Sequence, residues 1–423
     1  MFRMSLKVCV IGAGAAGLCA ARHLLGNSNK FTAQVFEQSD VVGGTWVYTE
    51  DVGKDARDIP IHSSMYKNLK TNLPKEVMAF PDYPFPESEP RSFLPHEDVR
   101  NYLEGYCDHF DLRSTIKFEH LITRVEPSAS SSWMVSAKCL SSGQVTQDEF
   151  DAILVCNGHY SVPAYPEIKN IDSFKGLQMH SHDFRIPEPF KDLRVAILGA
   201  ASSGMDICLE VASQASQVYL SHNKPLLQSK LPANLVQVRG IVECITENGF
   251  LLSDGSKIQV DALIYCTGYE YSFPFLSDSC SVRVENRQIS PLYKHMIHAD
   301  FPSLGFIGMP LTIVPFPLFD RQIQWFTAIL QGQYGLPSSA EMRAEIQAEK
   351  ESRLNQGIAE KHFHVFKEYQ WDYNSELAQL AGIPDLPKSV ENLYNVVGKE
   401  RRTNLATYKR DSFQMVDGQF VKK

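Results

Sequence analysis

Apolar runs and polar stretches alternate along this chain in a pattern that occurs twice. Leu6–Ile11 (LKVCVI) is a continuous β-type run, as a parallel strand buried on both faces requires. It enters the turn Gly12–Gly17 (GAGAAG); LCAARHLL then reads as a helix and Phe31–Glu37 (FTAQVFE) as the next strand. The pattern returns with the strand Leu193–Gly199, the turn Gly199–Gly204 (GAASSG), a helix from Met205 and the strand Gln217–Ser221. Ala152–Tyr160 and Asp261–Glu270 read as further strands, one in each unit. Between the units lie a Pro/aromatic-rich segment, Met78–Pro95, and a proline-rich linker, Pro163–Pro189. The last third returns to strand and loop, then to a helical tail in which Ser338 and Glu341 mark an N-cap. The expected fold is α/β, with two Rossmann-like dinucleotide-binding domains, the second inserted into the first. The expected limits are 1–165, 166–285 and 286–423.

Composition narrows the partners. Forty-one basic against 49 acidic residues give a formal charge of −8, with no long Lys/Arg run, which argues against nucleic acid or an anionic membrane. Nine cysteines without a C-x-x-C read as reduced, mostly buried thiols, not as a disulfide scaffold, zinc ribbon or dithiol redox centre. The first apolar run leads straight into a motif, so a cleavable signal peptide is not expected and the cytosol is. Leu304–Phe319 is interrupted by Pro310, Pro315 and Pro317 and falls short of the ~20 residues that span a bilayer, so no transmembrane anchor is expected. Oligomeric state, including a homo-oligomer, is left open.

The first turn carries the stronger fingerprint. Gly12 allows the tight turn, Gly14 lets backbone approach a pyrophosphate, and Gly17 lets the helix pack on the strand. The helix N-terminus supplies free N–H groups and positive dipole. The cofactor-binding set here is Gly12, Ala13, Gly14, Ala15, Ala16 and Gly17, with Glu37 placed to accept from ribose hydroxyls. The run Val41–Trp46 (VVGGTW) is by itself an ordinary Gly-Gly turn. After an acid-terminated Rossmann strand it favours FAD over NAD, through Gly44, Thr45 and Trp46.

The second turn differs. Gly199, Ser203, Gly204, Met205 and Asp206 follow the expected cofactor path, with Ala201 at the middle glycine position. Its methyl should push the pyrophosphate outward unless the backbone compensates. Ser221 stands where the first unit has Glu37, so nothing repels the 2′-phosphate of NADPH, and Ser221, His222 and Lys224 can donate to it. The alternative is that these three are exposed turn residues. Two dinucleotide sites without a dithiol leave dioxygen or a quinone as the electron acceptor.

At this point the residues resemble the flavin-containing monooxygenases. Phe174–Phe184 (FKGLQMHSHDF) is similar to that family's F-x-G-x-x-x-H-x-x-x-[Y/F] motif, through Phe174, Gly176, His180 and Phe184. Tyr66–Pro86, Cys266–Tyr269 (CTGY) and Asp320–Phe326 (DRQIQWF) resemble the family's segments too, as does the short C-terminus its soluble members. The resemblance implies an enzyme in which NADPH reduces FAD, dioxygen forms a C4a-hydroperoxyflavin, and a soft nucleophile, amine or thioether, takes up one oxygen. It also implies that Thr45, Trp46, Asn72 and Leu73 line FAD, that Thr71, Asn72 and Ser203–Asp206 approach NADP, and that Asn72 is the catalytic amide. The alternative for Asn72 is a turn residue before Pro74. His180 reads as a linker histidine tying the domains, and Phe184 and Tyr269 as packing residues. Asn223 departs from the family, which often has an arginine there for the 2′-phosphate. The competing functions are a Baeyer–Villiger monooxygenase, which usually has Trp at the position of Phe184, and a non-turnover flavoprotein acting as NADPH oxidase or binding partner.

Overall fold

The computed structural model describes residues 5–129 and 131–423. Met1–Met4 and Ser130 lie outside the described residues. Strand Leu6–Ile11 is central in a seven-stranded sheet. It pairs in parallel with Phe31–Phe36 on one side and Ala152–Val155 on the other, and Leu304–Phe306 continues the sheet beyond. Val8, Cys9 and Val10 are fully buried, as a strand covered on both faces must be. Helix Ala15–Leu25 covers one face and packs on helix Pro315–Leu330. Four alanines within the first helix let the two axes approach, and His23 Nε2 meets Asp320 Oδ1 at 2.7 Å across the contact. Pro315 stands at the start of the second helix, where its missing N–H costs nothing.

The second unit is a five-stranded parallel sheet in the order Leu235–Val238, Gln217–Ser221, Arg194–Leu198, Ala262–Tyr265, Leu177–His180. Its last strand lies inside the segment read above as a proline-rich linker. Four residues without strong alternation carry little strand signal, and pairing with Ala262–Tyr265 decides their state. Gly176 makes the entry possible, because a Cβ there would lie 2.4 Å from the Asp261 carbonyl oxygen. The chain also leaves this unit earlier than the expected limit of 285. Tyr271, Phe275 and Cys280 are buried in one cluster with Ile122, Val125 and Trp133 of the first unit. Helix Ser339–Asn355 begins at the expected cap, with Ser338 and Glu341 bonded reciprocally. Helices Tyr369–Ala381 and Lys388–Thr403 and a hairpin, Phe413–Val416 with Gln419–Lys422, complete the tail. Among the described residues no helix is long and apolar enough to cross a membrane.

Candidate active site

The two glycine turns have the same local construction. Gly12 has φ +102°, and a Cβ there would lie 2.7 Å from the Cys156 carbonyl oxygen; Gly199 has φ +110° and stands 2.4 Å from that of Cys266 in the same sense. Gly17 and Gly204 each put a helix against the turn so closely that a Cβ would fall 1.8 Å from the Gly12 or Gly199 carbonyl oxygen. Cys156 and Cys266 follow the strands Ala152–Val155 and Ala262–Tyr265, so in each unit a turn is held between two strand ends. Both leave a helix N-terminus open to an anionic group.

The turns differ at the middle position. Gly14 packs on Gly44, where a Cβ on Gly14 would lie 3.4 Å from the Gly44 Cα, so the VVGGTW run completes the first turn from the side. Ala201 has φ −98° and ψ −159°, close to the −75° and −171° of Gly14. That extended conformation suits any residue, and Ala201 is exposed, so its methyl demands no rearrangement of the backbone.

Glu37 is buried. Its Oε2 accepts from Ala13 N at 2.7 Å and its Oε1 from Ser39 N and Oγ at 2.8 and 2.9 Å, so the acid anchors the turn it serves. Ser63 Oγ donates to Thr45 O at 2.8 Å, and Trp46 packs against the first core. Beyond Cys156, buried polar atoms gather without partners among the described residues: Asn157 Oδ1, both ring nitrogens of His159, Tyr48 Oη and His182 Nε2. Burial pushes His159 down to about 4, so its imidazole is neutral. Tyr160 keeps 43% of its surface exposed, yet the surrounding protein and Tyr269 push its phenol up to about 12. Orphaned buried donors and acceptors beside a Cβ-free turn fit a polar dinucleotide.

The segment from Tyr66 to Leu73 runs along the seam between the units. Tyr66 Oη donates to Asp206 Oδ2 at 3.2 Å, Asn68 Nδ2 to Glu210 at 2.9 Å, and Lys67 N to Arg185 O at 2.9 Å. Thr71 turns inward: it is buried, its N–H donates to Leu94 O at 2.8 Å, and its Oγ1 accepts from Leu94 N at 3.1 Å. Leu73 packs at the junction of two cores. Asn72, between them, is half-buried, and its amide makes no hydrogen bond among the described residues. A turn-forming asparagine would bond to nearby backbone. This one does not.

Several expected residues are engaged otherwise. Ser221 is fully buried; its Oγ donates to Arg239 O at 2.9 Å and accepts from Ile241 N at 3.0 Å, so its hydroxyl proton is not free for a phosphate. Asp206 pairs with Lys409 Nζ at 2.5 Å, and Met205 packs on the C-terminal segment. Ser203 and Gly204 remain in the first turn of helix Ser202–Ala212, and Lys224 Nζ donates to Ala200 O at 3.2 Å. His180 Nδ1 accepts from His182 N at 3.0 Å, and burial followed by the neighbouring His182 pushes it down to about 4. Phe184 is buried edge-on against Tyr66.

One residue at the seam escaped sequence reasoning. Arg185, directly after the F-x-G motif, is buried and donates to five backbone carbonyls, those of Thr49, Asp51, Ser63, His182 and Phe184. It ties the loop carrying Thr45 and Trp46 to the linker. The only sequence signal was a charge in an otherwise packing motif.

These features can be set against known proteins. A family model described as flavin-binding monooxygenase-like matches residues 5–225 and 221–391. The chain belongs to this family. Flavin-containing monooxygenase FMO GS-OX-like 4 of Arabidopsis thaliana is 35% identical over 96% of this chain and 94% of its own length. The Arabidopsis thaliana flavin-containing monooxygenase FMO GS-OX5 is 37% identical over 90% and 86%. The solved S-allyl-L-cysteine S-oxygenase of Allium sativum superposes with a TM-score of 0.91 at 36% identity, over 96% of this chain and 95% of that one. Cyclohexanone monooxygenase, at 15% identity and a TM-score of 0.60, shares the fold. This flavin-containing monooxygenase is thus an oxidoreductase, with FAD and NADPH as its cofactors and a small molecule and dioxygen as its reactants.

Proposed function

We propose that this flavin-containing monooxygenase transfers one atom of dioxygen to a soft nucleophilic atom of a small molecule, a thioether sulfur before a tertiary amine nitrogen. FAD is assigned to the turn Gly12–Gly17 with Gly44, and NADPH to the turn Gly199–Gly204. NADPH, a proton, dioxygen and substrate give NADP⁺, water and oxygenated substrate. Bound FAD, reduced by NADPH, supplies the activation of dioxygen. The chain's own residues supply position and dryness. Gly14 and Gly44 would let backbone approach the pyrophosphate; Glu37 holds the turn and would accept from the ribose hydroxyls. Asn72 offers a neutral amide that both donates and accepts at the seam, without adding charge beside an electron-rich ring. Arg185 and the buried aromatic pair Tyr66 and Phe184 close the seam to water, which otherwise diverts reduced oxygen to hydrogen peroxide.

The observation that carries this reading is the unpaired Asn72 amide on a seam loop flanked by two glycine turns. All nine cysteines are free, and the buried ones beside the turns, such as Cys156 and Cys266, are pushed far up by burial, so a thiol–disulfide route has no reactive thiolate there. The preference for sulfur is supported by the likeness to an S-oxygenase over nearly the whole chain. The test is NADPH oxidation by purified yellow protein over matched thioethers, tertiary amines and ketones, with oxygenated product and hydrogen peroxide both measured. Sulfoxide formed in step with NADPH consumed is expected. Lactone or ester from the ketones, or peroxide alone with every substrate, would refute the assignment.

A further inference from the structure

A group of polar side chains interrupts the apolar contact between helix Ala15–Leu25 and helix Pro315–Leu330. Cys19 and His23 stand one turn apart on the first helix, at the i and i+4 spacing that puts two side chains on one face. Asp320 meets them from the second helix, 297 residues beyond His23. One ligand atom from each, the Cys19 sulfur, a His23 ring nitrogen and an Asp320 carboxylate oxygen, lies within 4.8 Å of the other two. The surroundings are apolar: Cys19 belongs to the same core as Leu24, Phe316 and Ile323.

The three are held in place by their neighbours. Asp320 turns Oδ1 to His23 Nε2 at 2.7 Å, while Gln324 Nε2 donates to its other oxygen at 2.8 Å and Arg321 Nη1 stands 3.9 Å from that same oxygen. Arg22, beside His23 in sequence, is paired with Asp82 at 2.6 Å. Tyr106, on helix His96–His109 and in the same core, is fully buried, with a hydroxyl that has no hydrogen-bond partner among the described residues. Burial, then the charges of Asp320 and Asp82, push the Cys19 thiol well above its ordinary range, and Tyr106 acts against them. The His23–Asp320 bond accounts for two of these groups. It leaves a thiol and an orphaned hydroxyl in an apolar core unexplained.

We propose that Cys19, His23 and Asp320 form a zinc site between the two helices, with a water in the fourth position held by the Tyr106 hydroxyl. Sulfur, imidazole and a single carboxylate select zinc over magnesium or calcium, which take oxygen ligands. A dication between one thiolate and one carboxylate makes a neutral buried unit, so no charge is left stranded in the core. An ion bonded at ~2.0 Å to His23 Nε2 and to Asp320 Oδ1 parts these atoms by about half an ångström, within reach of a small rotation of either side chain. To bind it, Cys19 gives up its thiol proton and His23 Nε2 the hydrogen it shares with Asp320, so affinity rises with pH. The His23 side chain is 11% exposed, which gives the ion a way in. The bound ion ties the helix that starts at the Gly12–Gly17 turn to a helix from the last third of the chain, and its effect is on stability.

The experiment strips the flavin-loaded full chain with a chelator, adds zinc, and counts bound metal by mass spectrometry after gel filtration, with affinity from competition against a chromogenic chelator. One zinc per chain is expected for the wild type. Asp320→Asn should bind it at least about tenfold more weakly, and Cys19→Ala more weakly still. At a hundredfold excess over its dissociation constant, zinc should raise the wild-type melting midpoint by about 5–10 °C and leave that of Asp320→Asn where it was. Cobalt(II) reads the ligands directly: a thiolate–cobalt charge-transfer band should accompany visible bands to the red of the flavin, and Cys19→Ala should lose it. Flavin content shows that each variant is folded; if Cys19→Ala is not, Asp320→Asn, which keeps the shape of the side chain, and the wild-type cobalt spectrum carry the test. Wild-type protein that retains no zinc would overturn the assignment. Zinc bound equally well by wild type and Asp320→Asn, or cobalt bound without a thiolate band, would place the ion elsewhere and overturn it too.

Discussion

Arg185 offers the sharpest energetic test of how the two units are held together. Its Nε donates to Thr49 O at 2.8 Å, Nη1 to His182 O at 2.7 Å and Phe184 O at 3.1 Å, and Nη2 to Asp51 O at 3.0 Å and Ser63 O at 3.2 Å. Burial pushes the guanidinium down from its ordinary range, with Asp183 opposing. Arg185→Ala removes all five donors and leaves five carbonyls to find water. A hydrogen bond from a charged group contributes about 1.5–3 kcal/mol, so simple addition overshoots; water entry and relaxation reduce the sum to about 3–5 kcal/mol. At roughly 2–4 °C per kcal/mol for a large domain, the unfolding midpoint should fall by about 6–20 °C. Arg185→Lys, a single ammonium with three donors, should recover about half of that loss. Because Thr49, Asp51 and Ser63 lie on the flavin-side loop, flavin should also be released more readily. Differential scanning fluorimetry at neutral pH, with flavin absorbance after gel filtration, reads both effects. An Arg185→Ala protein melting within ~2 °C of wild type with full flavin would show that the five bonds do not staple the seam.

Further outcomes follow from the same geometry. His159 and His180 are both held neutral, down to about 4 against an ordinary 6.5; between those values the unfolded chain binds protons that the folded chain does not. Stability should therefore fall as pH drops from 6.5 toward 4, by up to about 1.4 kcal/mol per pH unit for each group, and a His159→Gln, His180→Asn pair should flatten that slope in urea titrations. Asn72→Leu and Asn72→Asp should keep FAD but lower the ratio of oxygenated product to NADPH consumed, the aspartate more strongly because it adds charge; an unchanged ratio would mean the amide is idle. Ser221→Ala should cost about 1 kcal/mol in denaturant unfolding, since Arg239 O and Ile241 N lose a buried partner, and leave NADPH affinity as it was.

Much of this protein is determined by short stretches of chain. Gly12 and Gly17 can be read locally because their constraint lies within one strand–turn–helix: Gly12 has φ +102°, and a Cβ on Gly17 would fall 1.8 Å from the Gly12 carbonyl oxygen. The second turn repeats that logic at Gly199 and Gly204, and the capping box at Ser338 and Glu341 is equally local. Asn72 was reachable by resemblance, and its unbonded amide is what the seam adds. Other features depend on partners far away in sequence. Leu177–His180 is a strand only because Ala262–Tyr265 offers it an edge. Ser221, at a strand end that suggests a phosphate donor, is turned to structural use by Arg239 and Ile241. Arg185 acquires its meaning from carbonyls more than 100 residues upstream, at Thr49, Asp51 and Ser63. Sterics and hydrogen bonds within a turn involve neighbouring residues and leave a pattern in the chain. The seam is made by segments that meet only after both sheets have formed, so its buried charges and spent hydroxyls belong to tertiary structure alone.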